Sequence, residues 1–262
     1  MIRLTQGQIM ELLDADWLSE GPIRLNKTLS LSDLSGCLVL NHARLVMEHM
    51  AANQGVKLTT TGNFNRKFVE QMVRDFRWPG FEPEVVWRFN RVLNEPDYAP
   101  LDFLHALIGL AGLGRKHKGT FRLSRLGRSL LPPEAAGELN AVLFDATCNR
   151  YNLAYLDGRP VKESFQPQIG LTLFLMSKVA ETPRSPEELL AMTTLPIDPP
   201  QSDFPFRPEA IFRVRVLGYL EWFGLLEKIR IAANDQAGQQ HLYRKTPLFD
   251  RFLSFDIEAL IS

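Results

Sequence analysis

The chain has 262 residues, enough to bury a sizeable core and to split into two or three subdomains, and its 45% hydrophobic and 23% charged residues are ordinary for a globular protein. Thirty Lys and Arg balance thirty Asp and Glu, which excludes coating of nucleic acid by overall charge and leaves room only for a local basic patch. Two cysteines, Cys37 and Cys148, exclude a disulfide framework, the N-terminus lacks the apolar centre of a signal peptide, and the strongest apolar run, 169–176, is too short for a bilayer; the expectation is a cytoplasmic protein with no membrane partner.

After Thr5, residues Ile9, Leu12, Leu13 and Trp17 fall at helical spacing, and Gly21-Pro22 marks a loop. Residues 38–54 predict a helix stopped by Gly55. A short strand at 56–58, a Thr run suited to capping and a helix over about 64–76 come next. Trp78-Pro79-Gly80 ends that unit, 84–93 reads as a short helix, and 94–100 as a Pro-bounded loop.

The stretch LDFLHALIGLAGLGRKHKGTFRLSRLGRSLL, 101–131, is the clearest in the chain. An apolar helix runs to Ala111, and Gly112 ends it. Residues 113–117 and 120–123 form a hairpin turning at Lys118-Gly119, and Ser124 caps a further helix. Helix, "GL", ribbon, then L-S-x-x-G-x-x-L-L resembles the signature of winged-helix transcriptional regulators. That resemblance implies a nucleic-acid partner as one use of the fold.

Residues 134–156 predict one long helix and 157–160 a turn, with a strongly apolar helix at 168–180. Seven prolines between 182 and 208 predict a surface linker, interrupted by a helix that Ser185-Pro186-Glu187-Glu188 opens as a capping box. Residues 209–223 predict a helix followed by a second "GL". Residues 226–231 and 240–245 then form a hairpin with a polar tip at 234–238, and Thr246-Pro247 caps a last helix. The pattern thus recurs at about 38–76, 101–131 and 209–255. KLTTTGNFNRKFV, AGLGRKHKGTFRLSRLGRSLL, YNLAYLDG and FGLLEK with a final K-T-P-L-F together resemble an uncharacterised bacterial protein family, which brings no catalytic residues. The expected fold class is mainly α with small β-hairpins (α+β), built as repeated winged-helix-like units around central helices. Its expected domains are 1–100, 101–182 and 183–262.

Chemistry concentrates in one place. Arg115, Lys116, Lys118, Arg122, Arg125 and Arg128 surround His117, and no acid occurs from Phe103 to Pro133. Such a wing suits phosphate contacts, although a solvated, solubilising hairpin has the same composition. The helix before it has only Asp102 and His105 as polar side chains, too few to read bases. The corresponding helix of the third unit offers Arg213 and Arg215, diluted by Glu221 and Glu227.

His42 and His49 lie seven apart, a poor spacing for a ligand pair, and no Cys-x-x-Cys accompanies them. Cys148 reads as a core thiol, and no nucleophile elbow, P-loop or dinucleotide fingerprint is present. Asp145, Asn149 and Asn152 share a helix face with Arg150 nearby, more in keeping with a buried polar network than with a catalytic cleft. Neither catalytic residues, metal nor cofactor is expected. The first functional expectation is a non-enzymatic protein that contacts double-stranded DNA through Arg115, Lys116, Lys118, Arg122, Arg125, Arg128, Arg213 and Arg215. The alternative is a protein–protein interaction or self-association module, drawing on the aromatic residues of 204–255.

Overall fold

The computed structural model describes residues 2–155, 157, 165–196, 207–231, 240–257 and 260–261. In chain order these form β1 (Ile2–Arg3), α1 (Gln6–Leu13), β2 (Ile23–Leu25), α2 (Leu38–Ala52), β3 (Val56–Lys57), α3 (Arg66–Asp75), α4 (Pro83–Phe89) and α5 (Ala99–Leu110). There follow β4 (Gly114–His117), β5 (Thr120–Leu123), α6 (Arg125–Ser129), α7 (Ala136–Asn149), α8 (Ile169–Val179) and α9 (Pro186–Thr193). The last elements are α10 (Pro208–Phe212), a π-helical turn (Arg213–Leu217), α11 (Gly218–Trp222), β6 (Leu226–Ile231), β7 (Gln240–Lys245), α12 (Pro247–Phe252), β8 (Leu253–Phe255) and β9 (Leu260–Ile261). The architecture is mainly α with small antiparallel sheets. By compactness the chain divides in two, 27–151 and 1–26 with 152–262.

In the unit 27–151, α2, α5 and α7 pack on one another, and their Val39, Ala43, Val46, Leu104, Leu107, Leu139 and Leu143 are fully buried. The hairpin turns at Lys118 and Gly119, whose φ values of 46° and 71° are the two positive angles a tight two-residue turn of type I′ requires. β3 adds to this hairpin, giving the order β3-β5-β4 with Val56 opposite Phe121 and Lys57 opposite Thr120. The lone strand of the expected 38–76 unit therefore completes the sheet of 101–131. Gly55 lets the end of α2 come this close, since a Cβ there would lie 2.7 Å from the Phe121 carbonyl oxygen.

The other unit contains a related order. The chain after α8 makes a bridge from Arg184 to Tyr243 of β7, then Ser185 caps α9, and α10 to α11 lead into the β6–β7 hairpin. Matching backbone bonds close both hairpins. Leu113 N–H donates to Ile108 and Ser124 N–H to Leu113, as Leu225 N–H donates to Leu220 and Thr246 N–H to Leu225. Gly112 and Gly224 take φ of 70° and 71° at equivalent places. The segment between α2 and α3 pairs with β5, and the segment between α8 and α9 with β7, in each case the second strand of the hairpin that follows.

Two further differences have local causes. The helix expected over 134–156 ends at Asn149, where Asn149 and Arg150 turn onto Asp145 (2.8 and 2.5 Å) and Arg150 also donates to the Leu110 carbonyl. Asn152 stays out of this network and accepts from the Ala154 N–H. The helix expected over 209–223 is one run with a π turn inside it. The 197–206 part of the expected linker with Phe204 and Phe206, the 158–160 part of the expected turn and the hairpin tip at 234–238 lie outside the described residues. No helix among the described residues is long and apolar enough to cross a membrane.

Candidate nucleic-acid interface

Residues opposite each other in an antiparallel pair share a face, and faces alternate along each strand. In β3-β5-β4 the buried face carries Val56, Phe121 and Leu123. The other face carries Lys57, Thr120, His117, Arg115 and Arg122. Lys57, Arg115 and His117 are exposed. Arg122 is half-buried, its stem lying over Gly55 and its Nε donating to Thr120 Oγ1 at 2.8 Å. Three cations and a histidine therefore share one solvent-facing side of a three-stranded sheet, with exposed Lys118 at its tip.

Lys116 points the other way. It stands opposite Phe121, and a Cβ on Gly62 would fall 2.5 Å from its Nζ, so the ammonium lies over the loop before α3. There it borders a cleft of about 460 Å³ with Asn63, Asp102, His105, Ala106 and Gly109. Arg125 is exposed on α6, and Arg128 is exposed with one Nη–H on the Leu123 carbonyl. Among the described residues, none of the six wing cations forms an ion pair with an acid. The sequence reading groups them correctly as basic, but the pleat sends them to different sides.

The third-unit pair separates further. Arg213 is exposed and hydrogen-bonds the Tyr243 hydroxyl. Arg215, expected to touch nucleic acid, is 0% exposed and grips Asp157 through Nε and Nη2 at 2.8 and 3.0 Å. Residues two apart on a helix do not share a face, so only one of the two can point outward. Arg213 and His241 border a cleft of about 660 Å³ with Arg207, Glu187 and Glu209. The His241 pKa is lowered by burial and by the positive fields of Lys228, Arg230 and Arg213.

α5 presents little to a partner beyond the half-buried Asp102 and His105 and the exposed Ala106, Gly109 and Leu110. His105, however, is firmly held. Its Nδ1 bonds Glu95 Oε1 at 2.5 Å, and its ring stacks on Phe64 at 4.0 Å and meets the edge of Phe121 at 4.5 Å. Glu95 is 1% exposed, and its second oxygen accepts the Phe64 N–H. Sequence reasoning missed both Glu95 and Lys57. Lys57 could have been found from strand alternation, whereas Glu95 sits in a loop with no local signal.

The residues weighed for metal or nucleophilic chemistry have structural partners. His42 is buried, with Nδ1 on the Leu38 carbonyl at 2.7 Å and Nε2 accepting the Arg77 N–H at 2.9 Å. That pattern fixes the neutral Nδ1–H tautomer. His49 packs on Phe68. Cys148 is buried, and burial together with Asp145 raises its thiol pKa well above the ordinary value. Among the described residues no three His, Cys, Asp or Glu gather as metal ligands.

Residues 35–138 match the family model described as the Y4jL N-terminal domain. Over 149 residues the chain is 28% identical to the uncharacterised protein y4jL of Sinorhizobium fredii (strain NBRC 101917 / NGR234), covering 55% of this chain and 64% of that protein. The likeness is thus to an uncharacterised bacterial family, and the aligned part spans less than two thirds of that relative. No solved structure matches.

Proposed function

We propose that the chain is a non-enzymatic DNA-associated protein built on two winged-helix-like units, which grips the phosphate backbone through the basic wing of the first. The order α2, β3, α3, α4, α5, β4, β5, with the first strand beside the last, supports the winged-helix reading. The observation that carries the binding reading is the shared face of Lys57, Arg115 and Arg122, with Lys118 at the tip. Phosphate contacts need cations free of competing acids, and no acid occurs from Phe103 to Pro133. Because α5 exposes mainly Ala106, Gly109 and Leu110, little base readout accompanies those contacts. Fluorescence anisotropy with a mixed-sequence duplex tests this: binding should be nearly indifferent to sequence and weaken steeply with salt. Absence of binding at low salt overturns it.

A second reading, as a docking module for another protein, is favoured by one observation. Trp87, Phe89 and Val92 are exposed on and just after α4, Phe89 at 78%. Exposed large apolar side chains are a feature of interaction surfaces.

A further inference from the structure

We infer that the β6–β7 hairpin and the helical run before it carry a second phosphate-contacting surface, formed by Arg213, Lys228, Arg230 and His241, whose partner is the backbone of a nucleic-acid duplex. This surface rests on the reading of the chain as a duplex-binding protein and places contacts outside the first wing. The register of the hairpin brings the groups together. Lys228 stands opposite Tyr243 and Arg230 opposite His241, so these four side chains lie on one face of the two strands. Arg213, on the π turn, reaches that face, because it hydrogen-bonds the Tyr243 hydroxyl. Lys228 opposite Tyr243 repeats Lys116 opposite Phe121 in the first hairpin. The other face of the second hairpin has no cation to spare. There Arg244 is paired with Glu227 at 2.6 Å, beside Ile229, Ile231, Gln240 and Leu242.

The charges on this face decide what it can hold. Arg213, Lys228 and Arg230 are exposed, and among the described residues none of them forms an ion pair. Arg213 spends a donor on Tyr243, which leaves the rest of its guanidinium fork for a ligand. Three acids lie nearby. Half-buried Glu221 feels the charge of Lys228, and Glu187 and Glu209 border the cleft of about 660 Å³ with Arg207 and Arg213. The net field is read at His241: after burial, Lys228, Arg230 and Arg213 each lower its pKa. Cations gathered in this way repel one another, and a polyanion laid across them relieves the repulsion. Lys228 and Arg230, two apart on a strand, start from points roughly 6.6 Å apart, close to the spacing of adjacent phosphates along one nucleic-acid strand. A neutral His241 adds an N–H donor at the edge of the same surface.

Anisotropy of a labelled mixed-sequence duplex, read at several salt concentrations with the full chain, tests this surface. A Lys228→Gln, Arg230→Gln variant should flatten the slope of log K against log salt by up to about 1.8, at about 0.9 for each phosphate. A Lys228→Arg, Arg230→Lys variant keeps both charges and should keep the slope, which separates charge from folding. The same loss should appear in a chain that already lacks Lys57, Arg115 and Arg122, since the two surfaces belong to different hairpins. His241 supplies a readout at the surface itself. Adding the duplex should raise its NMR titration midpoint, because phosphates offset the fields that lower it. In the Lys228→Gln, Arg230→Gln variant the midpoint should start higher and respond less. A slope unchanged in that variant, with His241 unmoved by the duplex, overturns the inference; if the slope then depends on Lys57, Arg115 and Arg122, the first-wing reading stands. A slope that depends on Lys228 and Arg230 but not on the first-wing residues supports this surface and overturns the first-wing reading. A wild-type chain that binds no duplex at low salt overturns both.

Discussion

Arg215 and Asp157 form a two-pronged ion pair with the guanidinium fully buried and the carboxylate only 8% exposed. Taking two charges out of water is costly, and their mutual bonding helps to offset it. Removing one partner takes that bonding from the other. Asp157→Ala should therefore destabilise the protein by about 3–5 kcal/mol, read as a fall in the urea midpoint. Arg213→Ala, two residues away and exposed, should cost less, about 1–2 kcal/mol, because it gives up one hydrogen bond to the buried Tyr243 hydroxyl rather than a buried ion pair. Equal effects from the two substitutions would contradict the inward assignment of Arg215.

The turn of the first hairpin offers a test of local chemistry. Lys118 adopts φ of 46°, a left-handed conformation that costs a side chain with a Cβ, and Asn tolerates it better. Lys118→Asn should raise stability by roughly half a kcal/mol while removing a cation from the tip. Gly119→Val places a branched side chain at φ of 71° and should lower stability by about 1–3 kcal/mol. Thermal melts of the two variants should move in opposite directions.

Much of this hairpin is legible in the sequence, because Lys118-Gly119, Gly112 and Ser124 are local signals that act within a few residues. The long-range pairing is not. Val56 finds Phe121 across 65 positions, and Arg184 finds Tyr243 across 59, and nothing in either strand names its partner. For that reason the sequence reads 38–76 and 101–131 as separate units although their strands share one sheet. The candidate site divides along the same line. The basic composition of 115–128 is visible in the sequence, but its sorting into an outer face and an inner Lys116 needs the register of β4 on β5. The burial of Arg215 needs the distant Asp157. Glu95 becomes meaningful only once the fold brings it to His105 and the Phe64 N–H.

His42 links the core to pH. Burial, the largest cause, lowers its pKa below the ordinary 6.5, and the charge of Arg77 adds to the lowering against the Leu38 carbonyl. The unfolded chain therefore binds the proton more readily than the folded one. At pH above 6.5 both states are neutral at this site and it contributes no pH dependence. As pH falls below that value the unfolded state is favoured, by at most about 1.4 kcal/mol per unit for this group, until the folded pKa is reached. His49 and His241 shift in the same direction, so their contributions carry the same sign. Urea titrations at successive pH values should show stability falling on the acid side of neutrality. NMR of the His42 ring should show it still neutral when an ordinary histidine is half protonated. A His42 signal that titrates above 6.5 would contradict the buried, Nδ1–H assignment.

The sharpest test of the wing separates its two faces by their salt dependence. Each duplex phosphate that a variant no longer neutralises should reduce the slope of log K against log salt by about 0.9. Lys57, Arg115 and Arg122 share the outer face, so replacing all three by Gln should flatten the slope by about 2.7 if each meets one phosphate. Lys116→Gln removes a cation from the inner cleft and should change the slope by no more than about 0.9. Arg128 already donates to the Leu123 carbonyl, and Arg125 stands on α6 rather than on the sheet. An Arg125→Gln, Arg128→Gln double variant should therefore leave most of the slope intact. Stability should be nearly unchanged for Lys57→Gln and Arg115→Gln, within about half a kcal/mol each. Arg122→Gln gives up a bond to Thr120 and some packing over Gly55, and is measured separately for that reason. If the α6 pair carries the slope and the outer-face triple does not, the duplex lies against α6, and the shared face of the sheet is not the phosphate-binding surface.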